Sequence, residues 1–143
     1  MSEVAKPTVC TVIPSLHYRN APALIDWLCE AFGFERHLVV DDGAGGIAHA
    51  QLRFGNGMIM LSSVSDSEWG LRYAQPDEIG GRQTQCCCLI VADPDAHYHR
   101  AKAAGARIVD ELSDRDHGGR GYGCTDPEGH LWWFGSYDPW QPG

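Results

Sequence analysis

The stretch that decides the fold is residues 125–135, Thr125-Asp126-Pro127-Glu128-Gly129-His130-Leu131-Trp132-Trp133-Phe134-Gly135. Asp, Pro and Gly at its second, third and fifth positions are typical of a type I turn, because Asp accepts local backbone hydrogen bonds and Pro fixes φ. The aromatic and aliphatic residues that follow favour a strand. The stretch therefore predicts a β-turn that leads into the second strand of a hairpin.

The same pattern occurs earlier, in residues 54–61, where Asn-Gly is the turn dipeptide. Gly57 and Gly129 lie 72 residues apart, and the same step separates Gly33 from Gly105, each of which closes a helical run. A constant step of this size is typical of a duplicated supersecondary unit. We infer two copies of one module.

Each copy is predicted to have the order β-α-β-β-β, which makes the fold class α+β. The first module spans residues 8–62 and the second spans 84–137, and residues 63–83 connect them. Together they form one domain over residues 1–143. The predicted strands are 8–18, 34–40, 47–54 and 58–62, then 85–91, 106–112, 121–125 and the apolar end of the opening stretch; the predicted helices are 23–32 and 95–104.

The connection is longer than an ordinary loop, which indicates either mobility or a function. Its aromatic residues include Trp69 and Tyr73. Trp69 either covers a cavity or holds the loop to the surface, and the sequence leaves both interpretations open.

Composition limits the class of protein. Of 143 residues, 43% are hydrophobic and 21% are charged, which is typical of a globular domain. A net charge of −8 with no basic run argues against nucleic acid as a partner. No apolar run approaches the roughly 20 residues that cross a bilayer, and residues 1–7 lack an apolar signal segment. We therefore expect a cytoplasmic protein with no membrane contact.

The six cysteines include the run Cys86-Cys87-Cys88 but no C-x-x-C pair. Neighbouring side chains on a strand point to opposite faces, so this run does not suit one tetrahedral metal. We expect small buried hydrophobic residues, and the role of the run stays open.

Tandem β-α-β-β-β modules with a D-P-[DE]-G-H turn before the final strand resemble the vicinal oxygen chelate superfamily. This group contains glyoxalases, extradiol dioxygenases, fosfomycin-modifying enzymes and bleomycin-resistance proteins. The resemblance covers residues 8–137 and rests on residues 24–34, 54–57 and 126–130. It implies curled mixed sheets that form cups, completed in many members across a homodimer, and a small-molecule ligand.

In the metalloenzymes of this superfamily, the first and last strand of each module supply the metal ligands. The 72-residue step carries these positions onto Ile13, Leu61, Gln85 (or Cys86, if the strand slips by one) and Trp133. Ile, Leu and Trp do not bind a divalent metal. The expectation is therefore that no cofactor is bound and that no catalytic residue is present.

The same alignment directs Trp133 into the cup and Trp132 under the helix, because alternate strand residues face opposite ways. In the cup an indole either stacks on a planar or cationic ligand or fills the space as core. His49, Gln51 and Tyr122 either orient the ligand or face solvent.

Three hypotheses follow. The first is a metal-independent protein of the bleomycin-resistance type that binds an aromatic or cationic, antibiotic-like molecule. The candidate ligand-binding residues are Trp133, His49, Gln51, Tyr122, Leu61, Ile13, Gln85 and Trp69. The alternative is a metal-dependent lyase, isomerase or dioxygenase with atypical ligands such as His49, Gln85 and His130. The third is a dimeric scaffold without a ligand.

Overall fold

The computed structural model describes Glu3 and residues 7–141. The chain forms two compact units that divide between Tyr73 and Ala74. The first unit contains β1 (Ser15–Tyr18), α1 (Ala21–Phe32), β2 (Glu35–Asp41), β3 (Ile47–Phe54) and β4 (Gly57–Ser63). The second contains β5 (Cys87–Ile90), α2 (Pro94–Ala103), β6 (Arg107–Asp114), β7 (Arg120–Thr125) and β8 (Leu131–Gly135).

Each unit is a four-stranded mixed sheet with one helix. The strand orders are β1-β4-β3-β2 and β5-β8-β7-β6. In both sheets the first and last strands of the module run parallel, and the other neighbours run antiparallel. This is the predicted α+β class with tandem βαβββ modules.

The first strand of each module is shorter than predicted. The first was expected over residues 8–18 and the fifth over 85–91, but β1 begins at Ser15 and β5 at Cys87. Pro14 stands at the start of the pairing, where its carbonyl accepts a hydrogen bond from the Met60 amide at 2.9 Å. Because proline has no N–H to donate, it favours a strand end over a strand interior.

Both helices begin at capping residues that the sequence identifies. The Asn20 side chain accepts a hydrogen bond from the Ala23 amide, and Asp93 accepts one from the Ala96 amide at 3.1 Å. Such caps satisfy amides that the first helical turn leaves without a partner. The first helix ends at Gly33, whose φ of 88° is left-handed, as the sequence predicts.

One face of each sheet packs on the helix of its own unit, and we call it the helix face. In the first unit its buried residues include Ala50, Leu52, Ile59 and Leu61. In the second unit it carries Tyr122, Cys124, Trp132 and Phe134, which are also buried. We call the other side of each sheet the opposite face.

The two modules match with a step of 73 residues in some strands, not 72. The N-cap residues Asn20 and Asp93 are 73 apart. Leu16 pairs with Leu61, and Leu89 pairs with Phe134, so the last strands also differ by 73. A shift of one residue reverses the face. The counterpart of Trp133 is therefore Met60, and the expected match with Leu61 is wrong.

No helix among residues 7–141 is long and apolar enough to cross a membrane.

Candidate functional site

The last hairpin turn is organised around a buried carboxylate. Oδ1 of Asp126 accepts hydrogen bonds from the amides of Glu128 (2.9 Å) and His130 (3.1 Å), and Oδ2 accepts one from Nε1 of Trp132 (3.1 Å). Gly129 closes the turn with a φ of 88° and donates its amide to the Asp126 carbonyl. The D-P-E-G-H motif thus fixes the start of β8 and the direction of the two tryptophans that follow.

The adjacent tryptophans point to opposite sides, as predicted. Trp132 is fully buried on the helix face and stacks on Phe134 with a centroid separation of 6.3 Å. Trp133 is partly exposed on the opposite face.

Three glycines lie beneath the Trp133 indole. A methyl group at Gly121 would lie 2.8 Å from Cζ2 of the indole, and one at Gly135 would lie 3.2 Å from Nε1. At Gly123 the corresponding distance to Cε3 is 3.5 Å. Glycine in a strand interior is typical of a place where another group approaches the backbone closely. Here it lets the indole lie along the sheet.

Arg115 covers the indole. Its guanidinium carbon lies 4.5 Å from the Trp133 ring centroid, within the range of cation–π contacts. Nη1 pairs with Oδ2 of Asp110 at 3.2 Å, while Nη2 donates to the carbonyls of Glu111 (3.0 Å) and Gly121 (2.9 Å). These contacts fix the plane of the guanidinium. Its Nε is buried and has no hydrogen-bond partner in the structure.

Arg115 and Asp110 were not identified from the sequence. Arg115 lies in a glycine-rich turn without periodicity, and Asp110 pairs with Gly123 across the sheet. One signal in the sequence could have pointed to this surface. Gly121, Gly123 and Gly135 lie in strands near a large aromatic residue, and strand glycines indicate that another group approaches the backbone closely.

Two predicted ligand-binding residues lie on the helix face. Tyr122 is fully buried; its hydroxyl lies 2.6 Å from Nδ1 of His97 on α2, and burial raises the pKa of the phenol. Leu61 is 1% exposed in the core beneath α1. The expectation that these two side chains line a cup is wrong, because alternation along β7 and the one-residue shift in β4 direct them inward.

His49 and Gln51 lie together on the opposite face of the first sheet. The two Nε2 atoms are 3.0 Å apart, and the Gln51 amide donates to the His49 ring. On the same face, in β1, His17 is buried and stacks on Tyr73 with a centroid separation of 3.8 Å. The pair belongs to the first unit and Trp133 to the second, and the ligand role of each stays a prediction.

The other predicted residues are exposed. Trp69 is 64% exposed and contacts Tyr73 edge-on, with Arg72 5.7 Å from its ring centroid. Ile13 and Gln85 precede β1 and β5 and lie outside the ladders. Ile13 stands 73 residues before Cys86, so the slipped alignment applies and Cys86 replaces Gln85 at the aligned position.

The cysteine run is at the start of β5. Cys86 and Cys88 are exposed, and Cys87 is half-buried. Burial raises the pKa of Cys86 to about 12, to which the neighbouring Cys88 contributes, and burial raises the pKa of Cys87 to about 11. The thiols of Cys86 and Cys87 are therefore protonated at neutral pH.

The residues do not fit the divalent metal of the superfamily's enzymes. With the corrected steps the four aligned positions are Ile13, Met60, Cys86 and Trp133. They offer no carboxylate and no imidazole, the ligands that hold most divalent ions. Across residues 7–141, no group of three or more His, Cys, Asp or Glu side chains is placed to hold a metal ion.

Residues 14–134 match the model of the Glyoxalase/Bleomycin resistance protein/Dioxygenase superfamily. An uncharacterized protein of Mycobacterium bovis is 33% identical over 122 residues, which cover 85% of this chain and 80% of the relative. The crystal structure of TioX from Micromonospora sp. ML1 is 35% identical and has a TM-score of 0.69, covering 87% of this chain and 95% of TioX.

A fosfomycin resistance protein, FosX from Listeria monocytogenes, was solved with Mn(II) and 1S,2S-dihydroxypropylphosphonic acid. It is 15% identical, with a TM-score of 0.61 over 89% of each chain, so it shares the fold. The matching family model and the 33% identity with the mycobacterial relative establish that this chain belongs to the Glyoxalase/Bleomycin resistance protein/Dioxygenase superfamily.

Proposed function

We propose that the protein binds a small aromatic molecule without a metal, and that the ligand contacts Trp133 and Arg115 on the opposite face of the second sheet. The observation that carries this proposal is the indole that lies over three glycines with a guanidinium 4.5 Å from its centroid. A few placed polar groups among aromatic and apolar side chains are typical of small-molecule sites.

The surface favours a neutral or acceptor-bearing aromatic ligand over a cationic one. Arg115 already occupies the cation–π position on Trp133, and Asp110 balances its charge. An incoming cation would have to displace Arg115 and break its hydrogen bonds to two backbone carbonyls. A planar ligand can instead stack on the guanidinium, since arginine stacks on aromatic faces.

The absence of a metal from this function is supported by the donor set. Ile, Met, Cys and Trp stand at the four aligned positions, and a divalent metal would have one strong ligand among them. A metal-dependent lyase, isomerase or dioxygenase would need ligands from elsewhere. We assign no catalytic residue.

Tryptophan fluorescence and thermal unfolding with a panel of neutral, anionic and cationic planar aromatics test the proposal. We expect binding that Trp133→Leu weakens about tenfold or more, which corresponds to about 1.4 kcal/mol. Trp140→Leu is the matched control, because Trp140 is 88% exposed in the C-terminal segment. Equal affinities for the two variants, or no binding by any compound, would overturn the proposed site.

Metal content is the second test. Protein purified without chelator is challenged with Ni²⁺, Co²⁺, Zn²⁺ and Fe²⁺ and analysed for metal after gel filtration. We expect less than stoichiometric metal and unchanged aromatic binding in EDTA. A retained equivalent of divalent metal would contradict metal independence and direct attention to enzyme assays.

The proposal includes a cytoplasmic homodimer, as in the superfamily members that the sequence resembles. Light scattering during gel filtration measures the mass of the assembly, and cell fractionation measures the location. A monomer, or recovery outside the cytoplasm, would contradict this part alone.

A further inference from the structure

Two thiols lie at one edge of the second sheet. β5 is an outer strand of that sheet, Cys88 belongs to it, and Cys86 directly precedes it. Residues two apart on an extended chain point to the same side. Cys88 pairs in register with Trp133 and so lies on the opposite face, whereas Cys87 pairs with Trp132 and lies on the helix face. Cys86 and Cys88 are exposed and together present two sulfurs.

Both thiols can reach one ion, because residues two apart are separated by at most about 7 Å even on a fully extended chain. All six cysteines of the chain carry free thiols, so neither sulfur is consumed in a disulfide. The Cys86 thiol donates a weak hydrogen bond to the Cys87 carbonyl at 3.5 Å, and this bond is lost when the thiol gives up its proton to bind a metal. The thiols lie beside Trp133, which is the neighbour of Cys88 in the sheet, but neither Trp133 nor Arg115 is a ligand of the proposed ion.

We propose that Cys86 and Cys88 together bind one soft monovalent metal ion, Cu(I) or Ag(I), as a two-coordinate bis-thiolate site. Soft thiolate ligands select such ions. Each thiol loses one proton as its sulfur–metal bond forms, so two protons are released. The two thiolates and the monovalent ion together carry one net negative charge. No electron is transferred. Two ligands suffice, so the site is compatible with the lack of a three-ligand group among the described residues.

The charge of the chain favours such an ion. The net charge of −8 raises the local concentration of cations near the surface, although it does not select among them. Selection comes from the sulfurs. The proposed function does not use the thiols, so failure of the metal site would leave that function intact.

Silver(I) is the probe, because it does not change oxidation state under these conditions. The folded, reduced protein is titrated with Ag(I) in excess glutathione, which removes ions from single thiols, and bound silver is counted by native mass spectrometry. We expect one retained ion. Cys86→Ser or Cys88→Ser is expected to weaken retention about 10²- to 10⁴-fold, because the second sulfur then no longer acts intramolecularly.

Cys87→Ser and Cys10→Ser are the matched controls and are expected to keep the ion, with circular dichroism verifying the fold of every variant. Bound silver should also quench the fluorescence of Trp133, which is the neighbour of Cys88 in the sheet, and Trp133→Phe should remove that quenching. No retained ion in the wild type, or equal loss in Cys87→Ser and Cys88→Ser, would overturn the site.

Discussion

The opposite faces of the two sheets carry different residues at matching positions. His49 and Gln51 of β3 correspond to Gly121 and Gly123 of β7, through the 72-residue step that the pairing of these strands keeps. In the first sheet, side chains stand on the strand and bond to each other. In the second, glycines leave room for an indole to lie along the backbone. One module keeps a polar surface while the other carries an aromatic one.

The helix faces show a different contrast. Both are apolar, but the bulk comes from different elements. The first helix buries four large residues, Leu24, Ile25, Leu28 and Phe32. The second helix buries Pro94, Tyr98 and Ala101, and its sheet supplies Trp132, Phe134 and Tyr122 instead. Because a core must be filled to close-packed density, large side chains in the sheet compensate for small ones on the helix. The two modules thus fill their cores from different elements, mainly the helix in the first and mainly the sheet in the second.

The largest expected effect on stability is that of Leu61, whose side chain the register of β4 places in the core. Leu61→Ala should lower the free energy of unfolding by about 2–5 kcal/mol, because it leaves a cavity in a close-packed core. Met60→Ala, on the opposite face of the same strand, should cost less than about 1 kcal/mol. Urea unfolding of both variants measures the difference. A larger loss for Met60→Ala would contradict the 73-residue match between Met60 and Trp133.

The second largest expected effect on stability is a difference between the two hairpin turns. Asp126→Ala should destabilise by about 2–3 kcal/mol, because the buried Trp132 Nε1 and two amides lose their acceptor. Asn56→Ala, in the exposed two-residue turn of the first module, should cost about 0.5 kcal/mol or less. Thermal unfolding compares the two. Equal losses would show that the carboxylate does not organise the second turn.

The contrast between the turns explains how far the sequence could predict the fold. Gly57 and Gly129 point to two hairpins, but they are not equivalent positions. Gly57 begins β4 after the two-residue turn Gly55-Asn56, whereas Gly129 lies in the loop before β8 and corresponds to Asn56 by the 73-residue step. They do not reveal that two residues join β3 to β4 while five join β7 to β8. Loop length decides register, and register decides which face a side chain takes. The βαβββ order was therefore predictable, whereas the assignments of Leu61 and Tyr122 to the opposite face were not reliable.

Of the candidate site, the position of Trp133 could be predicted from the sequence, whereas that of Arg115 could not. Alternation after the Asp126 turn was sufficient to separate Trp132 from Trp133, because both lie in one regular strand. Arg115 reaches the indole from a loop, through contacts with two carbonyls and with Asp110. These contacts depend on the conformation of a loop, and a loop has no periodic pattern of residues in the sequence.

The glycines under the indole give a smaller effect. Gly123→Ala should cost about 1 kcal/mol or less, since its methyl group would lie 3.5 Å from the indole and 3.3 Å from Cβ of Asp110. It should nevertheless tilt the ring and weaken aromatic binding several-fold. Near-ultraviolet circular dichroism and ligand titration measure the two effects. The control is Arg53→Ala, on the opposite face of the first sheet, which should leave binding unchanged.

The smallest effect concerns how each module holds its β-hairpin loop between the second and third strands. In the first, Oδ1 of Asp42 accepts the amides of Ala44 (2.7 Å) and Gly46 (2.9 Å), and these bonds lower the pKa of the carboxyl. In the second, Arg115 donates to backbone carbonyls. A carboxylate loses its role on protonation, whereas a guanidinium keeps its donors throughout the acid range.

The sign of the pH dependence follows from the lowered pKa of Asp42. The ionised carboxylate favours the folded loop, so its contribution is complete above the ordinary value of 3.8 and is lost as the pH falls through the lower folded value. Amide hydrogen exchange, corrected for the intrinsic rates, should show the loop around Ala44 and Gly46 opening in that acid range before the loop held by Arg115. Asp42→Asn should remove the difference in acid sensitivity, because its amide side chain does not titrate. Simultaneous opening of both loops in the wild type would instead indicate that global unfolding, and not the local carboxylate, sets the acid limit.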